Sequence, residues 1–236
     1  MSPHTARPGG APVLELADIQ GNILSAYGKI GFPKARYLLL NVRSAAAGRR
    51  FLQVLYPSIT SAVRWPSRKH GHFGPAMQER PRLAVNVAFT FWGLLALGVP
   101  VRILNSFPDE FIDGMARRAI VLGDRSLSDK DCKWDDVWRY EGSTYDPLMV
   151  HMLVTLNAQM DPATGDAVPE LDAKTQEIRR YCADSGGDIA LLSGHGEGRL
   201  DYQELSAIIA KTPDGFQPTT DETIRRAAPS TRSLTP

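Results

Sequence analysis

The stretch from Ser193 to Glu204 spaces oxygen-bearing side chains at intervals that could bind a cation. Six of its residues occupy key positions of the calcium-binding EF-hand loop: Ser193, His195, Glu197, Gly198, Asp201 and Glu204. Ser193 is a weak ligand, however, and the imidazole of His195 does not suit a hard cation. The sequence therefore favours a turn in which Asp201 caps a following helix. Any calcium binding through 193–204 is expected to be weaker than about millimolar.

The same stretch also has features of a nucleotide-binding loop, because it is rich in glycine between a predicted strand and a predicted helix. Its glycines are Gly194, Gly196 and Gly198. Arg199 stands where the dinucleotide fingerprint requires its third glycine. The spacing therefore argues against a dinucleotide site.

The remaining candidate residues lack the neighbours that catalysis or metal binding requires. His70 and His72 have no carboxylate or cysteine nearby to complete a metal site, so a solvated basic loop is favoured. His151 lies in a predicted strand, where it is expected to make one hydrogen bond on a sheet face. Cys132 and Cys182 show no partner pattern for a nucleophile. From spacing alone, the sequence predicts no catalytic, cofactor-binding or metal-binding residue.

The composition limits the classes of protein to consider. The 236 residues include 27 basic and 26 acidic side chains, which gives no electrostatic basis for binding nucleic acid or a membrane. Residues 85–101 are apolar but too short and too mixed to span a bilayer. Residues 1–12 lack the apolar core of a secretion signal, and two unpatterned cysteines suit a reducing compartment. A cytoplasmic location is therefore expected.

Hydrophobic periodicity predicts four strands and five helices. The strands are expected at 37–42, 83–90, 150–156 and 189–192. The helices are expected at 45–56, 91–97, 108–123, 169–185 and 201–210, with one further helical turn at 59–63 after Pro57.

The order of these elements predicts an α+β fold. We expect a ferredoxin-like, four-stranded antiparallel sheet with helices packed on one face and a helical insertion between strands 2 and 3. The domain is expected to span residues 13–212, between a disordered leader at 1–12 and a disordered tail at 213–236.

The second face of this sheet, which carries no helices, is expected to be open and polar. Five side chains are predicted on it: Asn86, Thr90, His151, Thr155 and Asn157. Such a face is either solvated or a docking surface for another domain or a second copy of the chain. The docking interpretation leaves open a non-enzymatic interaction module as the function.

Four stretches resemble the dye-decolourising (DyP-type) haem peroxidase family, in that family's order. They are DIQGNIL followed by AYG at 18–28, NVAFTFWGLLALGVP at 86–100, FPDEFIDGMARRAIVLGD at 107–124 and VHMLVTLNAQ at 150–159. The resemblance covers about residues 14–212. It implies two ferredoxin-like domains, haem b in the second, and oxidation of dyes and phenols by hydrogen peroxide.

The catalytic groups that this resemblance implies have no counterpart in the sequence. The family carries a Gly-x-x-Asp-Gly segment, a distal arginine and a proximal histidine around its haem. The sequence has two Asp-Gly pairs, at 113–114 and 214–215, but neither completes this motif. The motif requires a glycine three residues before the aspartate, and those positions hold Glu110 and Lys211. The resemblance therefore implies the N-terminal half of a peroxidase, truncated before its haem domain, which binds no haem and is inactive alone.

The resemblance also suggests what this half contacts. The expected partner is a second ferredoxin-like domain, or a second copy of the chain, at the second face of the sheet. The Gln20-Gly21-Asn22 loop is expected to lie near the seam between the two domains.

Overall fold

The computed structural model describes residues 14–24, 27, 31–65, 80–123, 149–193, 200–213 and 215–218. The strands of this part of the chain are β1 (Lys34–Val42), β2 (Leu83–Phe89), β3 (Met152–Ala158), β4 (Ile189–Leu191), β5 (Gln203–Ser206), β6 (Ile209–Thr212) and β7 (Gly215–Pro218). The α-helices are α1 (Gly21–Leu24), α2 (Ala45–Leu55), α3 (Phe91–Ala96), α4 (Val101–Leu104), α5 (Asp109–Leu122) and α6 (Glu170–Asp184).

The main sheet has the strand order β2-β3-β1-β4, and the pairs β2–β3, β1–β3 and β1–β4 are all antiparallel. This is the ferredoxin-like order, with the first and third strands in the centre. The short strand β5 pairs with the first half of β1, beyond β4 on the same edge. The predicted α+β class is confirmed, and α3, α4 and α5 form the helical region between β2 and β3.

The core lies between the helices and one face of the sheet, and it is built from alternate strand residues. Leu38 and Leu40 of β1 are fully buried beside Val154 and Leu156 of β3. Helices α2 and α6 cover this face, the latter with a buried stripe that includes Ile178. Full burial of each such aliphatic side chain contributes about 1.5–3 kcal/mol relative to its exposure.

Local signals at the helix ends agree with the sequence. The Ser44 hydroxyl accepts a hydrogen bond from the Ala47 amide and caps α2. Pro57 ends that helix in a 3₁₀ turn, Tyr56–Ser58. Helix α5 is broken inside, because Gly114 adopts φ 68°, a left-handed conformation that glycine tolerates best.

Three predicted elements are wrong. The helix expected at 201–210 is replaced by strands β5 and β6, because the backbone of β1 at 34–37 requires hydrogen-bonding partners that β5 supplies. Residues 215–218 of the expected disordered tail form β7 and pair with β6. The helical turn expected at 59–63 is also missing: Ile59 bridges to Val85, and the Thr60 amide donates to the Val85 carbonyl at 2.8 Å.

Within the described ranges, no helix combines the length and apolar character needed to cross a bilayer.

Candidate functional site

The second face of the sheet carries the predicted polar residues, but its centre is buried. Asn86, His151 and Thr155 are 0%, 5% and 8% exposed, whereas Asn157 and Thr90 are half-buried. The expectation of an open face is therefore wrong at these three residues. Two apolar groups lie on this face and contribute to its burial: Leu39, Val150, Leu192 and Leu153, and Tyr27, Phe32, Trp65 and Ala84.

The polar side chains near the entry to β3 bond to the backbone. The Val42 amide donates to His151 Nδ1 at 2.9 Å, and Thr90 Oγ1 donates to the Val150 carbonyl at 2.8 Å. Asn41 Nδ2 donates to the Met149 carbonyl, also at 2.8 Å. These contacts fix residues 149–151 beside β1 and the start of α3. The predicted hydrogen bond of His151 is confirmed.

His151 is held in its neutral form. Burial lowers the pKa of the His151 imidazole below its ordinary value, because desolvation penalises the charged ring. Its Nδ1 accepts the Val42 amide and is therefore unprotonated, which leaves the proton on Nε2. A ring nitrogen engaged in this way is poorly placed to bind iron or to remove a proton.

The described ends of the stretch from Ser193 to Glu204 argue against a calcium site. Arg179 pairs with the carboxylate of Asp201 through two nitrogens, and Glu204 lies 3.5 Å from Nε of Arg36. Two of the proposed ligands are therefore neutralised by arginines, and Glu204 sits in a strand where the EF-hand requires a helix. No group of three or more potential metal ligands occurs among the described residues.

Neither the helix-cap nor the dinucleotide-loop interpretation of this stretch agrees with the strand that follows it. Asp201 does not cap a helix, because β5 follows it, and for the same reason no helix N-terminus is available to bind a dinucleotide phosphate. His195, Glu197 and Arg199 lie outside the described residues, as do the glycines between them.

Of the remaining candidate residues, Cys182 is buried and the other three lie outside the part of the chain that the structure describes. Burial raises the pKa of the Cys182 thiol to about 12, so it is protonated and unreactive near neutral pH. His70, His72 and Cys132 lie outside the described residues.

The opening loop lies against its own domain. The Gly21 amide donates to the Thr60 carbonyl at 2.9 Å, and the Ala62 amide donates to the Ile19 carbonyl at 2.7 Å. The side chain of Gln20 bonds to the backbone of Val87. Gln20 and Gly21 therefore bond within their own domain rather than to a neighbouring surface, while Asn22 is exposed. A position near an inter-domain seam stays a prediction.

An open groove of about 250 Å³ lies between α2 and α6. Phe51, Leu55 and Tyr181 form part of its apolar wall, while Glu177 and Arg180 contribute charge. This volume is below the range of roughly 300–1,000 Å³ typical of small-molecule sites. Of the residue types that bind haem iron, only Tyr181 lines the groove.

Comparison with known proteins assigns the fold. The family model for the DyP dimeric alpha+beta barrel domain matches residues 18–194, more than half of the chain. The chain belongs to the DyP-type peroxidase family. No curated protein matches the sequence.

Three solved structures of DyP-type peroxidases share this fold. The enzyme of Auricularia auricula-judae is 21% identical, with a TM-score of 0.52, over 87% of this chain and 36% of its own. An ancestral D-type dye-decolorizing peroxidase is 22% identical, with a TM-score of 0.52, over 86% and 36%. A dye-decolorizing peroxidase variant in complex with cyanide is also 22% identical, with a TM-score of 0.51, over 86% and 36%. The chain thus spans little more than a third of the length of these DyP-type proteins.

Proposed function

We propose that the chain supplies the N-terminal ferredoxin-like domain of a haem peroxidase that oxidises dyes and phenols with hydrogen peroxide. The observation that carries this proposal is the match of the DyP domain model to residues 18–194. The three solved structures support the same assignment at the level of the fold.

In this proposal the haem and the catalytic groups belong to a part of the peroxidase other than these 236 residues. The described part of the chain contains one histidine, His151, and its Nδ1 already accepts the Val42 amide. The chain also matches only 36% of the Auricularia enzyme. The domain would then act as a scaffold that binds no haem specifically and has no peroxidase activity alone.

Reconstitution with hemin tests this division of labour. Purified chain is titrated with hemin, and its Soret band and its oxidation of a dye by hydrogen peroxide at acidic pH are compared with free hemin. We expect a broad, non-stoichiometric spectrum and turnover no greater than that of free hemin. Circular dichroism establishes that the sample is folded.

Single replacements of each of the five histidines by alanine provide the control series. A sharp, stoichiometric Soret band that one replacement abolishes, with turnover well above free hemin, would contradict the proposal. That result would locate a complete haem site within the chain, including its undescribed residues.

A second ferredoxin-like unit, either another domain or a second copy, is the proposed partner. The family model describes a dimeric barrel domain, which supports such pairing. The rim of the second face offers half-buried Tyr37 and Asn157 and exposed Ala88.

Light scattering during gel filtration is expected to show a dimer that Asn157→Arg weakens, whereas Gln176→Arg on an exposed turn of α6 leaves it intact. A wild-type chain that is monomeric at high concentration would refute pairing between copies.

A cytoplasmic location remains part of the proposal. Its support is Cys182, a buried thiol that is not in a disulfide. Cell fractionation with a tagged chain tests it, and recovery in a secreted or membrane fraction would contradict it.

A further inference from the structure

Strand β2 forms one edge of the main sheet, since only β3 pairs with it along its length. Its outward backbone groups would therefore be available to bond to another strand. Edges of this kind are where chains add strands and aggregate, and proteins usually protect them with charges, prolines, bulges or a covering segment. At the centre of the strand, the outward groups belong to Val85 and Val87.

All four of these groups have partners from two short segments of the same chain. The Thr60 amide donates to the Val85 carbonyl at 2.8 Å, and the Val85 amide donates to Thr60 Oγ1 at 3.1 Å. The Val87 amide donates to Gln20 Oε1, and Gln20 Nε2 donates to the Val87 carbonyl, both at 2.8 Å.

The Gln20 side chain thus reproduces a strand residue. One carboxamide gives one donor and one acceptor to a single residue, which is what a paired residue gives in an antiparallel ladder. A carboxylate of the same length cannot donate, and an apolar side chain can do neither. Gln20 therefore occupies the position that a strand residue would occupy beside Val87.

The residue that follows explains why the sequence reads Gln-Gly. Gly21 is buried, and an added Cβ would lie 2.3 Å from Tyr27 Oη and 2.7 Å from the Ser61 carbonyl oxygen. Any other residue would push the loop away from 60–62. Gly21 therefore permits the close approach that brings the Gln20 amide to β2.

We infer that Gln20 is a blocking group: its carboxamide occupies the strand-pairing position on the free edge of β2 and prevents a second copy of the chain from adding a strand there. The inference does not depend on haem chemistry or on the proposed peroxidase function. It assigns the segment 14–24 a role in keeping the edge closed.

Gln20→Met tests the inference, because methionine keeps the length and volume of the side chain and removes both hydrogen bonds. Hydrogen exchange of the Val87 amide is expected to become about tenfold faster. As its concentration rises, the variant is expected to form larger assemblies than the wild type does, as measured by light scattering. Gln53→Met, on the exposed surface of α2, is the matched control and should change neither property.

A second change distinguishes strand addition from general aggregation. Adding Ala88→Lys to Gln20→Met places a charge on the exposed edge, as lysine does on natural edge strands, and is expected to return the association to that of the Ala88→Lys single variant. A double variant that associates more than the Ala88→Lys single variant would overturn the inference, as would a Gln20→Met chain that associates no more than the wild type. The wild type gives an independent test: if its Val87 amide exchanges as fast as an unprotected amide, the inference fails.

Discussion

Acidification should weaken the fold through His151, whose ring is buried and accepts the Val42 amide. Burial lowers the pKa of this imidazole in the folded chain below its ordinary value of about 6.5. Above about pH 6.5 the ring is neutral in both states and its full contribution to stability is present. As the pH falls further, the unfolded chain takes up a proton before the folded chain does. Stability is then lost until the pH reaches the folded pKa.

The loss of stability per pH unit is limited, because only one group takes up a proton. The free energy of unfolding falls by at most about 1.36 kcal/mol per pH unit between the unfolded and folded pKa of one group. Protonation of Nδ1 also turns the acceptor of the Val42 amide into a donor, so that amide should lose its protection from hydrogen exchange at the same pH.

Urea unfolding of the wild type and of His151→Asn between about pH 7.5 and about pH 5 measures the contribution of His151 to the free energy of unfolding. Asparagine offers an oxygen close to the position of Nδ1 and does not titrate. Because all other ionisable groups are common to both chains, the difference between the two curves isolates His151. The wild type should lose more stability than the variant below about pH 6.5. Parallel curves over the whole range would refute the reasoning.

Three substitutions check the packing of the domain. Gly93→Ala should cost about 1–3 kcal/mol in urea unfolding, because the new Cβ would lie 1.8 Å from the His151 carbonyl oxygen; unchanged stability would show that α3 is not seated there. Leu38→Ala should cost about 2–5 kcal/mol, since this side chain is fully buried, and a loss well below about 1 kcal/mol would contradict its place in the core. Arg179→Met should cost less than about 1 kcal/mol, because its ion pair with Asp201 is about a third exposed, and the loss should shrink as salt is added. A loss independent of salt would point to packing instead.

Local patterns in the sequence were sufficient for the central elements of this fold. Hydrophobic periodicity predicted a strand at 83–90 and a helix at 169–185, where β2 and α6 lie. Pro57 acts within a few residues of itself, so its effect on the end of α2 is visible in the sequence.

The errors arose where a distant strand decides the local structure. A helical period fits Leu205, Ile208 and Ile209. Leu205 nevertheless lies in β5, because β5 supplies the hydrogen-bonding partners of the edge of β1. The contact between Gln20 and Val87 spans 67 positions, and no periodicity encodes it. Its one local signal is the glycine after Gln20. The burial of Asn86 was missed for a similar reason, since alternation gives the face of a residue and not what covers that face.

Two separate strands, β4 and β5, pair with the same edge of β1. This arrangement indicates where extra residues could be inserted into the chain. Leu40 is opposite Leu191 in β4, and Tyr37 is opposite Gln203 in β5. Three residues of β1 cover about 10 Å, whereas the eleven residues at 192–202 could reach about 36 Å when extended. Because each register is fixed by its own pairing, an insertion within 194–199 would shift neither strand. Doubling the connection should cost only about 0.6 kcal/mol of chain entropy, so this is the natural place to graft a tag or a foreign peptide.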